Sequence, residues 1–401
     1  MPHYRQRYLS VDVKRDLRWS KVVSVVGMRQ VGKTTLLREL SQSYFTYDDT
    51  QLRLRAEAGN WGFLESKSKP VVIDECHLVP NTFSEIKRRV DERDEPGRYI
   101  LTGSVRFLSK KEIRESLTGR TSILELLPMT LSECLGLELS RFVSLVTEVA
   151  EKKQSKPDRQ LPLQFRQRVK RAQIAHYLLT GGLPGICFKR DSILRDRMYE
   201  LQLETILSRD LDLISPTRLG YRKLRTILSE VYRQSAGQQN QAEIARRVGS
   251  SSPTIERVIR AMESLFLIKA HGDQYYPSDL GLCHFLTQEH ETPNRPQWLR
   301  AIFCELHAQL DYSFRNQTEF RPIQNRGGID VPFFIEFKNQ PSIAITFDVE
   351  ECASDRSLKS LTWLKKKKPT DSTLITVALH LGAEQYFSSS GHLCLPVDCL
   401  F

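Results

Sequence analysis

The sequence predicts an α/β protein whose middle part is helical and whose C-terminal part forms a second, smaller α/β domain. Near its start, short β-branched runs alternate with stretches of helical spacing, as in a sheet covered by helices. Residues 192–213 and 240–268 carry apolar residues at helical intervals, and from Trp298 onward a helical stretch precedes three strand-like runs. A chain of 401 residues is long enough for about two or three domains.

Composition indicates a globular protein that works in a reducing compartment. Hydrophobic residues make up 40% and charged residues 27% of the chain, and no apolar run is long enough to span a bilayer. Residues 1–18 carry charges throughout, so no signal peptide is predicted. The eight cysteines are scattered without a CxxC pair, which favours the cytoplasm over a disulfide scaffold or a zinc site. The net charge of +11 favours contact with a polyanion such as nucleic acid, although a solvated basic face would explain it too.

A glycine-rich loop follows the first predicted strand, Lys21–Val26, and leads into a stretch of helical spacing. The loop reads GMRQVGKTT and satisfies G-x-x-x-x-G-K-[ST], which in this strand–loop–helix context binds a nucleoside triphosphate. Gly27 and Gly32 let backbone N–H groups face phosphate oxygens, and the helix N-terminus adds partial positive charge. Lys33 would neutralise the β- and γ-phosphates, and the Thr34 hydroxyl would be a Mg²⁺ ligand, which predicts ATP with Mg²⁺. The residues predicted to contact the nucleotide are Gly27, Met28, Arg29, Gln30, Val31, Gly32, Lys33, Thr34 and Thr35.

An acidic pair ends a later apolar run. PVVIDECHLVP (Pro70–Pro80) supplies Asp74 and Glu75, far enough after Lys33 for one helix and a further strand. Asp74 is placed to hold Mg²⁺ through water and Glu75 to polarise the attacking water, which predicts hydrolysis. The structural alternative is a surface acidic pair at the end of a strand.

Two further positions are candidates for contact with the γ-phosphate. The next predicted strand, Arg98–Leu108, carries Thr102 and Ser104, whose hydroxyls could act as a polar sensor; ordinary turn chemistry is the alternative. Arg120, within Glu115–Leu126, could contact the γ-phosphate of its own or a neighbouring subunit, or be a plain surface arginine. The predicted catalytic residues are Glu75, Arg120 and Ser104, and the predicted metal ligands are Thr34 and Asp74.

Together these residues resemble a prokaryotic family of AAA+-type P-loop ATPases joined to a C-terminal domain of unknown function. The resemblance covers most of the chain apart from a basic stretch near residues 140–170. It is carried by GMRQVGKTTLL, YFTYDD, IDECHLVPNTFSEIKRRVD, ILTGS, LTGR, LPMTLSE and GGLPG. The resemblance implies an AAA+-type core that binds and hydrolyses ATP.

Two positions depart from the family's pattern. Met28 stands where the family usually has proline, and His77 stands where it usually has glutamine. Neither position touches the phosphate chemistry directly. His77 makes the acidic segment read DECH, which also occurs in superfamily-two helicases, but no set of helicase motifs follows it.

The middle of the chain predicts a linker and a DNA-binding fold. Glu151–Gln173 is basic and proline-interrupted, which favours a solvated linker, with a polyanion contact as the alternative. Ser192–Leu213 is predicted to be a long helix packed on the ATPase core. Asn240–Ile268 has helix-turn-helix spacing with Pro253 just inside the second helix, and His271–Asp279 could be the wing of a winged helix. If the second helix enters a major groove of double-stranded DNA, its exposed face carries Ser252, Thr254, Arg257 and Arg260. Because winged helices also dock proteins, a protein partner is the alternative.

The segment from Trp298 onward resembles the restriction-endonuclease-like core, a helix followed by strands. In that core a first aspartate and a D/E-x-K strand hold Mg²⁺ and activate water. Here Glu305 lies on the helix, Asp330 lies in the strand-like run GIDVPFFIEF, and Asp348–Glu350 reads DVE, so a glutamate replaces the lysine. The alternative E-x-K at Glu336–Lys338 lies too close to Asp330 to occupy a separate strand. We therefore expect a retained fold without cleavage of DNA.

The predicted organisation has four parts and leaves two functions open. The parts are a P-loop ATPase domain at 1–135, a basic linker or excursion at 136–175, a helical and winged-helix region at 176–290, and an endonuclease-like domain at 291–401. The first function is an ATPase whose nucleotide state moves the C-terminal half on DNA. The second is an ATP-dependent regulatory switch that docks a protein partner without acting on DNA. The sequence leaves open whether the chain forms a homo-oligomer, and no membrane partner is expected.

Overall fold

The computed structural model describes residues 5–66, 68–104, 119–155, 165, 167–237, 239–289, 292–325, 327–367 and 374–401. The chain divides into two compact units. The first comprises residues 1–129, 183–228 and 241–268, and the second comprises residues 130–182, 229–240 and 269–401. Among the described residues, no helix combines the length and the apolar character needed to cross a membrane.

A parallel sheet lies at the centre of the first unit, with five strands among the described residues. These strands are β1 (Val22–Val26), β2 (Ser43–Thr46), β3 (Val71–Asp74), β4 (Tyr99–Gly103) and β5 (Thr121–Glu125). They lie in the order β2-β3-β4-β1-β5. β1, β3 and β4 are buried along their whole length, which explains their unbroken apolar runs. Because the strands are parallel, the segments that follow β1, β3 and β4 meet at one edge of the sheet.

The described part of the chain contains fifteen α-helices. They are α1 (Leu9–Asp16), α2 (Lys33–Leu40), α3 (Thr50–Glu57), α4 (Asn81–Glu92), α5 (Leu131–Leu135), α6 (Phe142–Ser155), α7 (Arg171–Thr180), α8 (Ser192–Thr205), α9 (Leu211–Ile214), α10 (Tyr221–Arg233), α11 (Gln241–Val248), α12 (Ser252–Ser264), α13 (Leu280–Thr287), α14 (Arg295–Ser313) and α15 (Asp355–Lys367). A π-helical turn, Ile206–Asp210, joins α8 to α9. The predicted long helix at 192–213 is thus helical throughout, although Ile193 and Leu201 on its predicted apolar face are exposed.

The second unit contains a mixed sheet that has the predicted order of helix and strands. Its strands are β8 (Thr318–Gln324), β9 (Asp330–Phe337), β10 (Ile343–Phe347), β11 (Ile375–His380), β12 (Tyr386–Phe387) and β13 (Leu393–Pro396), after a short hairpin of β6 (Ile268–His271) and β7 (Gln274–Pro277). The described strands lie in the order β12-β13-β11-β10-β9-β8. α14 precedes the antiparallel run β8-β9-β10, and α15 then crosses to β11, which is parallel to β10. This succession is the helix-then-strands core predicted from the sequence.

The predicted linker at 136–175 is instead part of the second unit's core, over the residues that are described. α6 buries one face, and two positions after it are buried in the same apolar cluster. The buried residues are Phe142, Val143, Val146, Val149, Phe165 and Val169. The basic composition of the segment concealed these apolar positions. Residues 156–164 and 166, which the predicted linker also contains, lie outside the described residues.

The predicted middle region at 176–290 is divided between the two units. α8, α9, α11 and α12 fall in the first unit, whereas the β6–β7 hairpin from Lys269 onward and α13 fall in the second. Helical periodicity shows that a helix has a buried face, but it does not show which core covers that face. The boundary at residue 176 therefore could not be placed from spacing alone.

Candidate nucleotide-binding site

The glycine-rich loop connects β1 to α2 at the carboxyl edge of the parallel sheet. Gly27 has a φ of 152°, and a Cβ added there would lie 2.4 Å from the Leu126 carbonyl oxygen, so only glycine fits. Gly32, with a φ of 100°, is the last residue before α2. The loop therefore ends at a helix N-terminus, where unpaired N–H groups favour an anion.

Lys33 is buried inside the loop. Its Nζ donates hydrogen bonds to the carbonyl oxygens of Gly27 at 2.8 Å and Met28 at 3.0 Å. Burial lowers the pKa of the ammonium, and the nearby carboxylates of Glu75 and Asp74 oppose that shift. The side chain thus stands at the place where its predicted role requires a cation.

Thr34 and Asp74 are brought together across the sheet edge. Thr34 Oγ1 donates to Asp74 Oδ2 at 3.0 Å, and the Tyr44 hydroxyl donates to the same oxygen. Asp74 Oδ1 accepts from the Glu75 N–H at 2.9 Å, so both carboxylate oxygens are oriented. A hydroxyl and a carboxylate are the hard oxygen ligands that Mg²⁺ prefers, and Mg²⁺ on a nucleotide needs only one or two such protein groups. The residues present fit the metal predicted for this site.

Glu75 follows β3 in a strained conformation with a φ of 52°, in the left-handed region that glutamate rarely adopts. Its Oε2 accepts from the Ser104 N–H at 3.4 Å and lies 3.3 Å from His77 Nδ1. Burial raises the pKa of the carboxyl, and the Asp74 carboxylate adds to the rise while Lys33 opposes it. A raised pKa moves Glu75 toward the range in which a carboxylate accepts a proton effectively near neutral pH.

The predicted sensor residues lie between the loop and the acidic pair. β4 is sandwiched between β1 and β3, with Thr102 opposite Val25 of β1. Ser104, just beyond β4, is buried and contacts Glu75 through its backbone N–H. The buried Thr102 hydroxyl has no hydrogen-bond partner among the described residues, so it is a second candidate for the polar sensor. Positions 105–108 of the predicted strand lie outside the described residues.

Arg120 lies at the opposite edge of the sheet from the phosphate loop. Its carbonyl accepts from the N–H of Val22, the first residue of β1, whereas the loop follows the last. At a rise of about 3.3 Å per residue, the length of β1 separates the two edges by more than 10 Å or so. The Arg120 guanidinium pairs with both Asp91 oxygens, at 2.6 and 3.0 Å. The structure therefore does not bring Arg120 to the phosphate loop of its own chain, because it precedes β5 rather than following it.

Arg7 and Tyr44 contact the site but were not predicted from the sequence. The buried Arg7 donates from Nη1 to the Val31 carbonyl at 2.7 Å and from Nη2 to the Leu127 carbonyl. It thereby ties the loop to the segment after β5. Arg7 precedes α1 outside any motif, and no signal in the sequence marks it. Tyr44 could have been found, since the quoted YFTYDD segment carries it on the strand next to β3.

The helix-turn-helix segment presents the predicted residues on one face of α12. Ser252, Arg257 and Arg260 are exposed and Thr254 is half-buried, while Ser251 caps the helix by accepting from the Thr254 N–H. Arg260 is paired with Glu256 one turn away.

The hairpin predicted to be a wing packs within the second unit. His271 and Tyr276 are buried there among aromatic residues, with the His271 ring 4.4 Å from that of Phe320. The exposed tip carries Gly272 and the acidic Asp273. A tip without a cation does not favour contact with a phosphate backbone.

The acids of the endonuclease-like core are engaged in other contacts. Asp348 accepts from the hydroxyls of Ser354 at 2.7 Å and Ser357 at 2.8 Å at the start of α15. Asp330 lies 3.3 Å from the guanidinium of Arg295. Glu305 is buried, and burial raises its pKa to about 7. No three His, Cys, Asp or Glu side chains converge as metal ligands in the part of the chain that the structure describes.

The parallel sheet, the phosphate loop and the facing acids have the arrangement of an AAA+-type P-loop fold. In particular, residues 20–135 match the family described as AAA domain, and residues 171–288 match a family described as Domain of unknown function (DUF8612). The N-terminal part of the chain is therefore an AAA domain, followed by a domain whose role its family leaves open.

Two curated relatives, from Mycobacterium tuberculosis and Mycobacterium bovis, are described as uncharacterized proteins. Each is 30% identical over 131 residues, which cover 32% of this chain and 30% of the relative. The match thus spans less than a third of the relatives' length.

Among solved structures, the chain is similar to a Walker-type ATPase of Pyrococcus abyssi, at 13% identity and a TM-score of 0.42 over 69% of this chain and 94% of that one. It is also similar to RuvB of Thermotoga maritima, at 16% identity and a TM-score of 0.28 over 67% and 90% of the two chains. The Orc1 protein of Aeropyrum pernix in complex with DNA gives 13% identity and a TM-score of 0.26 over 72% and 93%. At these low scores, the likenesses say nothing about the activity of this chain.

Proposed function

We propose that this chain binds ATP with Mg²⁺ at Gly27–Thr35 and hydrolyses it, and that the nucleotide state moves its C-terminal half on double-stranded DNA. The observation that carries the proposal is the Thr34 hydroxyl 3.0 Å from the Asp74 carboxylate, beside the buried Lys33 and the half-buried Glu75. A phosphate-binding cation, a pair of magnesium ligands and a base for water are the parts that hydrolysis of a nucleoside triphosphate requires.

Each residue of the site has a separate role in the proposed hydrolysis. Lys33 and the loop N–H groups hold the phosphates, and Thr34 and Asp74 would hold Mg²⁺. When bound, Mg²⁺ would neutralise the negative charge of the phosphate oxygens. Glu75 accepts a hydrogen bond from the attacking water. This contact directs a lone pair of the water oxygen toward the γ-phosphate. The Ser104 N–H holds the Glu75 carboxylate in place for this step.

Turnover and binding measured on matched variants test the ATPase. We expect Glu75→Gln to bind Mg-ATP but to hydrolyse it at least about a hundredfold more slowly, because the base is lost. Lys33→Ala is expected to lose binding itself. Arg88→Ala, which removes an exposed pair with Glu85 on α4, is the control and should behave like the wild type. An absence of wild-type turnover, both with and without DNA, would show that the ATPase proposal is wrong.

The proposed action on DNA rests on α12. Its exposed Arg257 and Arg260 follow a tight turn after α11, as in the second helix of a helix-turn-helix. The excess positive charge of the chain, +11, is consistent with a polyanionic partner.

We propose that the endonuclease-like core contributes a scaffold without cleavage, since Asp348 is engaged at the start of α15 and the lysine of the motif is absent. DNA incubated with the chain and Mg²⁺ or Mn²⁺ should stay intact; cleavage that disappears in Asp330→Ala would contradict this.

A regulatory switch that docks a protein partner is the second candidate. On the exposed face of α12, Glu256 pairs with Arg260 and offsets its positive charge. A face with both charges favours a protein partner over the DNA backbone. None of the eight cysteines, all of which the structure describes, forms a disulfide, which is consistent with a cytoplasmic location for either function. Whether the chain forms a homo-oligomer, in which Arg120 could reach a neighbouring subunit, is decided by measuring its mass in solution with and without ATP.

A further inference from the structure

Within the first unit, the helical segment at 192–214 contacts the phosphate loop at two points. The Gln202 amide on α8 donates to the Arg29 carbonyl at 2.8 Å. Asp210, the last residue of the π-helical turn, accepts from the Arg29 guanidinium at 3.3 Å. Gln202 and Asp210 are 2% and 3% exposed, whereas the Arg29 side chain is half-buried. Both converge on one loop residue, once through its backbone and once through its side chain.

The Gln202 contact fixes a peptide plane of the phosphate loop. Because a peptide unit is planar, holding the Arg29 carbonyl also holds the N–H of Gln30. Gln30 has a φ of 62°, in the left-handed region, so its backbone is already constrained. The N–H groups of this loop are the groups that would contact phosphate oxygens. A residue outside the loop therefore orients one of its phosphate-binding amides.

The Asp210 contact with Arg29 is an ion pair. A buried Asp210 carboxylate would be costly without a positively charged partner. The carboxylate is close enough to Lys33 to raise the pKa of its ammonium, against the larger effect of burial. A negative charge beside a triphosphate site opposes binding of the nucleotide. The Arg29 guanidinium compensates that charge, and in turn Asp210 fixes the direction of a cation that would otherwise be free to reach the phosphates.

The same segment leads to the helix-turn-helix. Asp210 immediately precedes α9, and α9 packs against α12, all within the first unit. A π-helical turn inside a longer helix is a common location for functional contacts, because its extra residue shifts the direction of the side chains that follow. A movement of Arg29 can therefore be transmitted to α12 through Asp210 and α9.

We propose that Asp210 and Gln202 are positioning residues of the phosphate loop, which hold Arg29 away from the phosphates and link the occupancy of the loop to the position of α9. This inference rests on the proposed function, because it needs a nucleotide that binds at the loop. Asp210 and Gln202 act through Arg29.

A double-mutant cycle on Arg29 and Asp210 tests the proposal. Affinities for Mg-ATP and Mg-ADP and the steady-state kcat and KM are measured for Arg29→Ala, Asp210→Ala, the double variant and Asp210→Glu. In Asp210→Ala the freed Arg29 should reach the phosphates, so we expect about threefold tighter ATP binding and about fivefold slower turnover. The double variant should lose the tighter binding, and the conservative Asp210→Glu should restore most of the wild-type behaviour. Glu204→Gln, an exposed acid on α8, is the matched control.

Hydrogen exchange supplies a readout that a purely structural role would not change. Mg-ATP should slow exchange of the backbone amides at 199–214 in the wild type, and this protection should be lost in Asp210→Ala. A wild type that binds ATP without changing exchange at 199–214, or single variants whose effects simply add, would overturn the inference and leave the ATPase proposal intact. A variant that melts at lower temperature but keeps wild-type kcat and affinity would overturn it as well. A wild type that does not bind ATP would refute the proposed function, and this inference with it.

Discussion

Thr34 Oγ1 donates a hydrogen bond to Asp74 Oδ2 at 3.0 Å, although 40 positions separate the two residues in the sequence. The sheet order brings them together. β4 lies between β1 and β3, so the ends of β1 and β3 are two strand spacings apart, about 10 Å. The loop after β1 and the first turn of α2 bridge that distance. Tyr44, on the other side of β3, holds the same oxygen, so Asp74 is oriented from both sides.

Glu75→Gln should stabilise the folded chain at neutral pH while it slows turnover. Burial raises the pKa of Glu75 above its ordinary value of 4.5, so ionisation of this group disfavours the folded state. The cost of ionised Glu75 is fully present at a pH above its pKa in the folded state. The cost vanishes at a pH below its ordinary pKa of 4.5. We therefore expect the free energy of unfolding near pH 8 to be higher in the variant than in the wild type, because the functional residue it replaces is destabilising. Thermal melts of both proteins from pH 4 to pH 8 measure it. A gain that persists unchanged at pH 4 would exclude this electrostatic origin.

Arg120→Ala should leave ATP turnover within about twofold of the wild type. Its guanidinium pairs with Asp91 at the amino edge of the sheet, remote from Lys33. The pair is partly exposed, so its loss should also cost little stability. The kcat of the variant is compared with that of Asp91→Asn, which removes the same pair from the other side. A large loss of kcat in Arg120→Ala alone, with ATP binding retained, would indicate that Arg120 acts on a neighbouring subunit.

Replacing Arg257 and Arg260 by alanine should weaken binding to duplex DNA and reduce its dependence on salt. Each phosphate contact that is lost lowers the slope of log K against log salt by about 0.9. Glu256→Gln should have the opposite effect, because it releases Arg260 from its ion pair. Anisotropy titrations at several salt concentrations measure both, with Arg88→Ala as an exposed-arginine control. Affinity that does not depend on salt, or that is absent even at low salt, would favour the protein-docking alternative.

The sequence predicted the parts of the site that are local. The loop at Gly27–Thr35 and the acids after β3 each lie in one short segment, where residue type and spacing carry the chemistry. Long-range pairing was not predictable in this way. Arg120 follows a glycine in a motif, yet it precedes β5 and therefore lies at the edge of the sheet opposite the phosphate loop. Arg7 and Asp210 reach the loop from segments without any motif, because helical periodicity does not specify which core covers a helix.

Glu305→Gln should stabilise the second unit at alkaline pH. Glu305 on α14 is 2% exposed, and burial raises its pKa from 4.5 to about 7. Its ionised form is therefore disfavoured in the folded state, and the stability conferred by the neutral form is present below pH 4.5 and lost as the pH rises through 7. The glutamine carbonyl can still accept the hydrogen bond that Gln309 donates to Glu305 at 3.2 Å. At pH 8 the variant should gain up to about 3 kcal/mol in its free energy of unfolding.

Denaturant unfolding of Glu305→Gln and the wild type at a series of pH values measures this difference. His271 complicates the wild-type profile, because burial lowers its pKa to about 4 and destabilises the same unit as the pH falls below 6.5. Taking the difference between the two proteins removes that contribution, since both keep His271. Glu319→Gln, an exposed acid on β8, is the control and should show no pH-dependent gain. Equal stability of Glu305→Gln and the wild type at pH 8 would mean that the buried carboxyl is compensated when ionised, with Glu305 held as a charge inside the core.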